Sequence, residues 1–520
     1  MPADTAQSRP VFTNTNPATG ELLGEYPSAT PGEVRQAVER AHRAQPSWAG
    51  LPLFRRVEIL RRFQQLLVDR KQRVAIAISS EAGKPAVEAL TSEILVVLDA
   101  VKFCTANAAR VLREEDVPHA NPALKTKRGR LLWEPVGVVG IISPWNYPFS
   151  IPATDSLAAL VLGNAVVLKP SELTPNSALL LRNLLHDAGV PRDVFQVVLG
   201  EGPTGAALLE SGIDKLVFTG SVATGRRVAV AAAQRLIPVV LELGGKDPMI
   251  VLEDANVDVA SSGAVWGSLM NCGQTCISVE RCYVHRSLFD RFVSECARKM
   301  QSLRVAAHDG DIGPLISQRQ LEIVAGQVED AVASGATVVC GGQRLPELGP
   351  NFYAPTLLTG VTPQMRIMRE ETFGPVLPVI PFSTDDEAVA LANDSEFGLA
   401  ASVWSRNRHH GESIARRIRA GCVMVNDVVT GFGISEAPHG GFKSSGIGRT
   451  HGVLGMREML QPRYVDVDRL PHWKQLWWYG YGGAFASQME GFVDFLFSRK
   501  LSTRLAGGLR SAGSLFRRRL

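Results

Sequence analysis

The apolar positions of this chain change rhythm along its length. Near the start they recur every three to four residues. Thr30-Pro31-Gly32-Glu33 reads as a capping box with proline at the first helical position, and it opens a helix to about Arg43. Residues 56–80 give a second, longer helical pattern. Beyond residue 130 short runs of Val, Ile and Leu end in Gly, Pro or Ser and alternate with helical segments. The runs are 136–142, 165–168, 195–198, 216–218 and 239–241. After Gly244 a second series begins, at 248–252, 281–285, 336–339, 398–404 and 421–426. Continuous apolar runs of this length are buried parallel strands, and alternation with helices predicts an open α/β sheet. Two tandem open α/β domains account for both series, with no internal repeat and no low-complexity linker.

Composition narrows the class. The chain has 520 residues, 45% of them hydrophobic and 20% charged, as in an ordinary globular protein with a large core. The opening MPADTAQSRP has no apolar core, so no signal peptide is expected. Seven cysteines are scattered at 104, 272, 276, 282, 296, 340 and 422, which is no secreted disulfide framework. A reducing cytoplasm is the expected compartment. Of the net charge of +4, residues 470–520 hold eight Lys/Arg against two acids, or +6, leaving −2 for the body. That is a near-neutral globule with a basic tail, and no nucleic-acid partner is expected.

In open α/β sheets ligands sit beyond the carboxyl ends of strands. Here those ends carry Ser143-Pro144-Trp145-Asn146-Tyr147-Pro148, Lys169-Pro170-Ser171-Glu172, Thr219-Gly220-Ser221 and Glu242-Leu243-Gly244-Gly245-Lys246. The Gly220–Gly225 loop precedes a helix, whose amides suit a phosphate. It lacks the P-loop Lys-Ser/Thr, and a plain tight turn reads equally well. Lys169 and Glu172 suit ribose hydroxyls or form a solvated pair. Glu242, between Leu241 and Leu243, is either a desolvated general base or a structural partner of Lys246. Cys272, Cys276 and Cys282 are spaced by four and six residues with only His285 near, which does not make a zinc set.

PWNYP, KPSE, FTGS, LELGGK, NCGQTC and Glu371-Thr372-Phe373-Gly374-Pro375 occur in one order and at compatible spacings, and together they resemble the aldehyde dehydrogenase superfamily over roughly residues 10–468. Bacterial members with a C-terminal extension, of the succinate-semialdehyde dehydrogenase type, are the nearest in pattern. The resemblance implies a Rossmann-like cofactor domain (1–120 and 138–243), a catalytic domain (244–448), a small oligomerisation element (121–137 and 449–468) and a separate tail (469–520). It implies NAD(P)-dependent oxidation of an aldehyde to the acid by a homodimer or homotetramer. Cys276 matches the nucleophile, Asn146 the oxyanion donor and Glu242 the base that activates the hydrolytic water. Trp145, Lys169, Glu172, Gly220, Ser221, Leu243, Gly244, Glu371 and Phe373 match the cofactor site. Glu172 favours NAD over NADP, whose 2′-phosphate it would repel. Tyr147, Ser150, Ile151, Thr154 and His439 fall where relatives line the aldehyde tunnel. His439 either contacts a polar or anionic substrate or fills an apolar volume as a neutral ring. The substrate is expected to be succinate semialdehyde or a lipophilic aldehyde. Cys282 is expected to be inert, and Cys272 to be either a small neighbour or a thiol able to trap oxidised Cys276.

The rival activities are weaker. A coenzyme A-acylating dehydrogenase would tend to lack Glu242, a cysteine hydrolase needs a histidine base that no motif supplies, and a silent binding protein would not keep Cys276, Glu242 and Asn146. The tail departs from the family pattern. Trp473, Trp477, Trp478, Tyr479 and Tyr481 precede residues 492–497 (FVDFLF) and a basic end. No run of about 18 apolar residues occurs, so no spanning helix is expected. Either the tail lies on anionic lipid as an interfacial helix, or its aromatics pack on the protein or a neighbouring subunit.

Overall fold

The first helix is capped as its sequence predicts. Thr30 Oγ1 accepts from Glu33 N at 3.2 Å, and Glu33 Oε2 accepts from Thr30 N at 2.8 Å. The helix, Pro31–Ala49, outruns its predicted end and passes through Pro46. Its buried face, Val34, Ala37, Val38, Ala41 and Trp48, continues beyond Arg43, and Trp48 Nε1 donates to Leu160 O at 2.9 Å. Tertiary packing thus outweighs the missing proline N–H. The pattern over 56–80 divides into two helices, Leu53–Asp69 and Lys71–Ala82, broken at Arg70. Both bury apolar faces, so periodicity alone runs across a one-residue break.

The computed structural model describes residues 9–472, 475, 478, 479 and 481–512. Trp473, Lys474, Trp477, Arg517, Arg518 and Arg519 of the tail lie outside the described residues. The chain forms two units: residues 1–112 with 134–461, and residues 113–133 with 462–520.

The larger unit holds two α/β sheets. The first has six strands in the order Gly446–Ile447, Val239–Glu242, Lys215–Thr219, Val138–Ile142, Ala165–Lys169 and Phe195–Val197. All are parallel except the short first one. From Val138–Ile142 the chain builds outward on one side through 165–169 and 195–197. It then crosses to the other side for 215–219 and 239–242. The switch in direction falls between Val138–Ile142 and Lys215–Thr219, where an open sheet leaves a crevice. Ile142 is level with Lys169 and Phe218, and Thr219 with Glu242. Segments 143–148, 169–172, 219–221 and 242–246 therefore share one carboxyl edge.

The second sheet has seven strands in the order Thr337–Cys340, Thr356–Thr359, Val376–Phe382, Val279–His285, Asp247–Val251, Ala400–Trp404 and Cys422–Val425. Only its outermost pair, 337–340 with 356–359, is antiparallel. Its core is continuous across both faces, from Met249, Ile250 and Val251 to Phe292, Leu357 and Phe382. The fold is α/β, as expected.

The smaller unit carries most of a three-stranded sheet, Leu460–Asp468, Lys127–Pro135 and Glu115–Val117 in that order. Lys127 pairs with Asp466 at 2.9 Å, and Arg130 with Glu114 at 2.7 Å. Two helices follow, Gly483–Phe497 and Leu501–Ala512. No helix among the described residues is long and apolar enough to cross a membrane.

Candidate active site

Cys276 lies on the turn that enters strand Val279–His285, and the turn is built from strained backbone. Asn271, Cys272 and Gly273 have φ of 53°, 56° and 72°, three left-handed residues in succession. For the two non-glycine residues this costs about 1 kcal/mol or more each. Gly273 is further required by space, since a Cβ there would meet Gly374 O at 2.0 Å. A buried network holds the turn. Asn271 N donates to the Glu88 carboxylate at 3.0 Å, Gln274 Nε2 to Asn271 O at 3.0 Å, and Ile316 N to Gln274 Oε1 at 2.8 Å.

The linker between the two sheets passes against this turn. A Cβ on Gly245 would stand 2.4 Å from Cys276 O. Cys276 and Glu242, at the end of Val239–Glu242, line one cavity of about 530 Å³ together with Tyr147, Ile151, Leu243 and His439. Thr154 lines it as well, whereas Ser150 does not. Ser150 N instead donates to Glu93, as does Phe149 N, which satisfies the start of helix Ser150–Val161.

The electrostatics are those of a desolvated, negatively biased site. Burial raises the Cys276 thiol pKa well above its ordinary value, and Glu371, Asp247 and Glu242 push the same way. Burial also raises Glu242 far above the carboxylate range, and Asp155 adds to it. Neither Glu242 oxygen has a hydrogen-bond partner among the described residues. Its partnership with Lys246 does not form. Lys246 is bound to Glu280 at 2.6 Å and to Thr372 Oγ1 at 2.9 Å, while His439 Nε2 stands 3.9 Å from Glu242 Oε2. His439 is buried and edge-on to Phe432, and burial lowers its pKa to about 3. Burial thus favours the neutral ring, and His439 lines the cavity, where a neutral imidazole can still meet a polar substrate.

Asn146 does not line the cavity. Its Nδ2 donates to Gln274 O at 3.0 Å, beside the nucleophile turn. Its carbonyl accepts from Lys84 Nζ at 2.7 Å and from Asn271 Nδ2 at 3.0 Å. Lys84 forms a fully buried ion pair with Glu93 at 2.7 Å and lies over the Tyr147 ring at 4.0 Å. The Tyr147 hydroxyl meets Thr275 Oγ1 at 2.7 Å. Sequence reasoning missed Lys84, Glu88, Glu93 and Asp155. Lys84, Glu88 and Glu93 belong to none of the motifs in the sequence, and Asp155 stands inside an apolar helical run with no local sign of what it faces.

The remaining candidates gather at the carboxyl edge of the first sheet. Lys169 Nζ stands 3.4 Å from Glu172 Oε2, the lysine buried and the carboxylate 38% exposed. Ser221 caps helix Val222–Ala233 by accepting from Thr224 N, and Gly220 N donates to Glu242 O at 3.0 Å. Gly225 lets the helix close on Leu243, where a Cβ would sit at 2.4 Å. Glu371 accepts from Gly245 N at 3.1 Å, and burial lifts its pKa to about 8. Gly244 leaves room for that carboxylate, since a Cβ there would meet Glu371 Oε2 at 2.4 Å. Phe373, at φ 52°, packs edge-on to Trp145 at 5.4 Å. Lysine and carboxylate at a strand end, a capped helix N-terminus and a second carboxylate beyond it form a donor set that fits the two riboses and the pyrophosphate of a nicotinamide dinucleotide.

Cys272 is buried, lines no part of the cavity, and has its thiol pKa driven up by burial and Glu88. All seven cysteines are free, and no group of three or more His, Cys, Asp or Glu that could hold a metal ion occurs among the described residues.

The aldehyde dehydrogenase family profile matches residues 4–465. A Mycolicibacterium smegmatis protein provisionally named an NADP+-dependent succinate-semialdehyde dehydrogenase is 42% identical, over 90% of each chain. A Methylomonas protein named 4,4'-diapolycopene aldehyde oxidase is 40% identical, over 93% of this chain and 90% of its own. Among solved structures, an NAD-dependent aldehyde dehydrogenase from Sinorhizobium meliloti has a TM-score of 0.85 at 38% identity, covering 88% of this chain and 92% of its own. An NAD+ complex of the Bacillus cereus enzyme has the same TM-score at 35% identity, covering 88% and 93%. The chain belongs to the aldehyde dehydrogenase family, and it is an NAD(P)-dependent oxidoreductase acting on an aldehyde.

Proposed function

We propose that the substrate is a neutral, largely apolar aldehyde, oxidised to the acid by Cys276, Glu242 and Asn146. The observation that carries this reading is the cavity lining. No lysine or arginine lines it among the described residues, while Asp99, Asp155 and Glu242 do, among Leu95, Val96, Trp266 and other apolar groups. An ω-carboxylate would be desolvated there with no cation to pair it. The name of the Methylomonas relative fits such a cavity, because diapolycopene is a hydrocarbon. The names that specify succinate semialdehyde do not.

In this reading the Cys276 thiol gives its proton to solvent as its sulfur adds to the aldehyde carbon, and the product is a thiohemiacetal oxyanion. Asn146 Nδ2, through the hydrogen that Gln274 O does not take, and a backbone N–H of the nucleophile turn would hold the oxyanion, each donor worth on the order of 10²–10³ in rate. The bound dinucleotide supplies the acceptor for the hydride. Glu242 then takes a proton from water, which attacks the thioester and releases the acid. A carboxylate base in the same cavity as the sulfur favours water over coenzyme A as acyl acceptor.

Lys169 and Glu172 would hold one ribose, the capped helix at Ser221 the pyrophosphate, and Glu371, with Phe373 and Trp145, the other ribose. Glu172 favours NAD. The cofactor half is then 1–120 with 138–243, the catalytic half 244–448, and 121–137 with 449–468 assemble a homo-oligomer. Exposed Tyr464, Val465 and Val467 on the edge strand Leu460–Asp468 support that assembly. Free cysteines fit the cytoplasm, and an apolar substrate fits peripheral membrane contact through the tail.

The test is NADH formation from neutral aldehydes of rising chain length against succinate semialdehyde. Long neutral aldehydes are expected to win in kcat/KM by roughly a hundredfold or more, the cost of an unpaired buried charge. A preference for succinate semialdehyde would overturn the reading.

A further inference from the structure

Helix Leu501–Ala512 is packed inside out. Leu501, Leu505 and Leu509 recur at intervals of four and form one stripe, exposed by 70%, 63% and 82%. The buried positions are Gly507 and Ser511, each two residues on from a stripe leucine and so on the far side of the helix. They face the preceding helix, Gly483–Phe497. A Cβ on Gly507 would meet Gly491 O at 2.5 Å, and one on Gly491 would meet Gly507 O at 2.8 Å. Arg510 pairs with Asp494 across the same contact. The partner helix also turns Val493 and Phe497 outward, exposed by 57% and 74%.

A hairpin folded for water does the reverse, burying its leucines and exposing its small residues. Small residues at the helix contact and large apolar ones outside are what a lipid surround selects. The charges name the kind of lipid. Arg499 and Lys500 stand exposed at the turn of the hairpin, and Arg504 one turn into the second helix. Against Glu490 and Asp494, residues 483–512 carry four basic and two acidic side chains, or +2. At 12 residues the leucine helix is far too short to cross a bilayer.

We propose that the hairpin 483–512 is a monotopic anchor. It lies in the surface of an anionic membrane, with the leucine stripe and Phe497 among the acyl chains and Arg499, Lys500 and Arg504 at the headgroups. This builds on the peripheral contact proposed above. Its test needs no turnover, so its failure and the failure of the substrate reading are told apart.

Full-length enzyme is floated with phosphatidylcholine vesicles, with and without phosphatidylglycerol. Wild type is expected to float with the anionic vesicles and to be released by salt. The variant Leu501→Ser/Leu505→Ser/Leu509→Ser changes only exposed positions. It is expected to keep NADH formation on a water-soluble aldehyde and to lose vesicle partitioning by about tenfold or more. Arg499→Gln/Lys500→Gln is expected to weaken flotation on anionic vesicles alone. Wild type left at the bottom of the gradient, or a leucine variant that floats as well as wild type, overturns the proposal. So does a wild type that stays at the bottom while the leucine variant has a lower mass by light scattering. The stripe would then be a contact between copies.

Discussion

Burial raises the pKa of both the Cys276 thiol and Glu242, and acidic neighbours outweigh Arg449 in pushing the same way. Glu371, Asp247 and Glu242 raise the thiol, and Asp155 raises Glu242. Activity must then climb with pH as Glu242 ionises. Asp155, itself raised to about 7 by burial, is part of that climb. Removing its charge in Asp155→Asn lowers the Glu242 pKa, so the acid limb of the kcat profile should move to lower pH. A limb that stays put, or moves up, would contradict the coupling. Glu242→Gln is expected to keep a first burst of NADH, one per active site, and then to stall by about 10²–10⁴ in steady state, since only water attack is lost. Rapid-mixing absorbance reads both phases. Cys276 and Glu242 were legible in the sequence because each is locally odd: a cysteine after Gly-Gln-Thr, and a carboxylate between leucines after an apolar strand. Asp155 was not, because what makes it matter is Glu242, brought beside it by the fold.

At the scale of elements, buried strands were readable to within a residue or two. A strand covered on both faces is a continuous apolar run, and the ten predicted runs all reappear as strands, although the edge strand Thr337–Cys340 is largely exposed. Strand Val376–Phe382 escaped because Pro378 and Pro381 argue against a central strand. It is nonetheless paired on both sides, with 356–359 and 279–285. In a parallel ladder successive residues bond to alternate neighbours, so each proline forfeits one bond and the apolar burial outweighs it. The start of helix Ser150–Val161 was equally hidden. It is held by Lys84 and Glu93, neither of which any local motif marks. Lys84→Met leaves Glu93 buried and unpaired and should cost about 3–5 kcal/mol. Lys84→Met/Glu93→Gln should recover part of that loss. Urea denaturation of both variants checks this, and a double variant no more stable than the single would remove the ion pair from the account.

Across the whole molecule, order along the chain and order in space diverge most in the small sheet. Strand Lys127–Pro135 pairs with Leu460–Asp468, and Lys127 finds Asp466 339 residues later. On the ribosome the earlier strand therefore emerges with one edge unsatisfied. It stays so until nearly the whole polypeptide has been made, a long interval in which it can stick to a neighbouring nascent chain. A chain ending at residue 459 never closes that edge. It is expected to scatter light within minutes of dilution from denaturant, under conditions where the full chain stays clear. The sheet is thus a checkpoint on synthesis: only a polypeptide completed past residue 468 can hide its own adhesive strand.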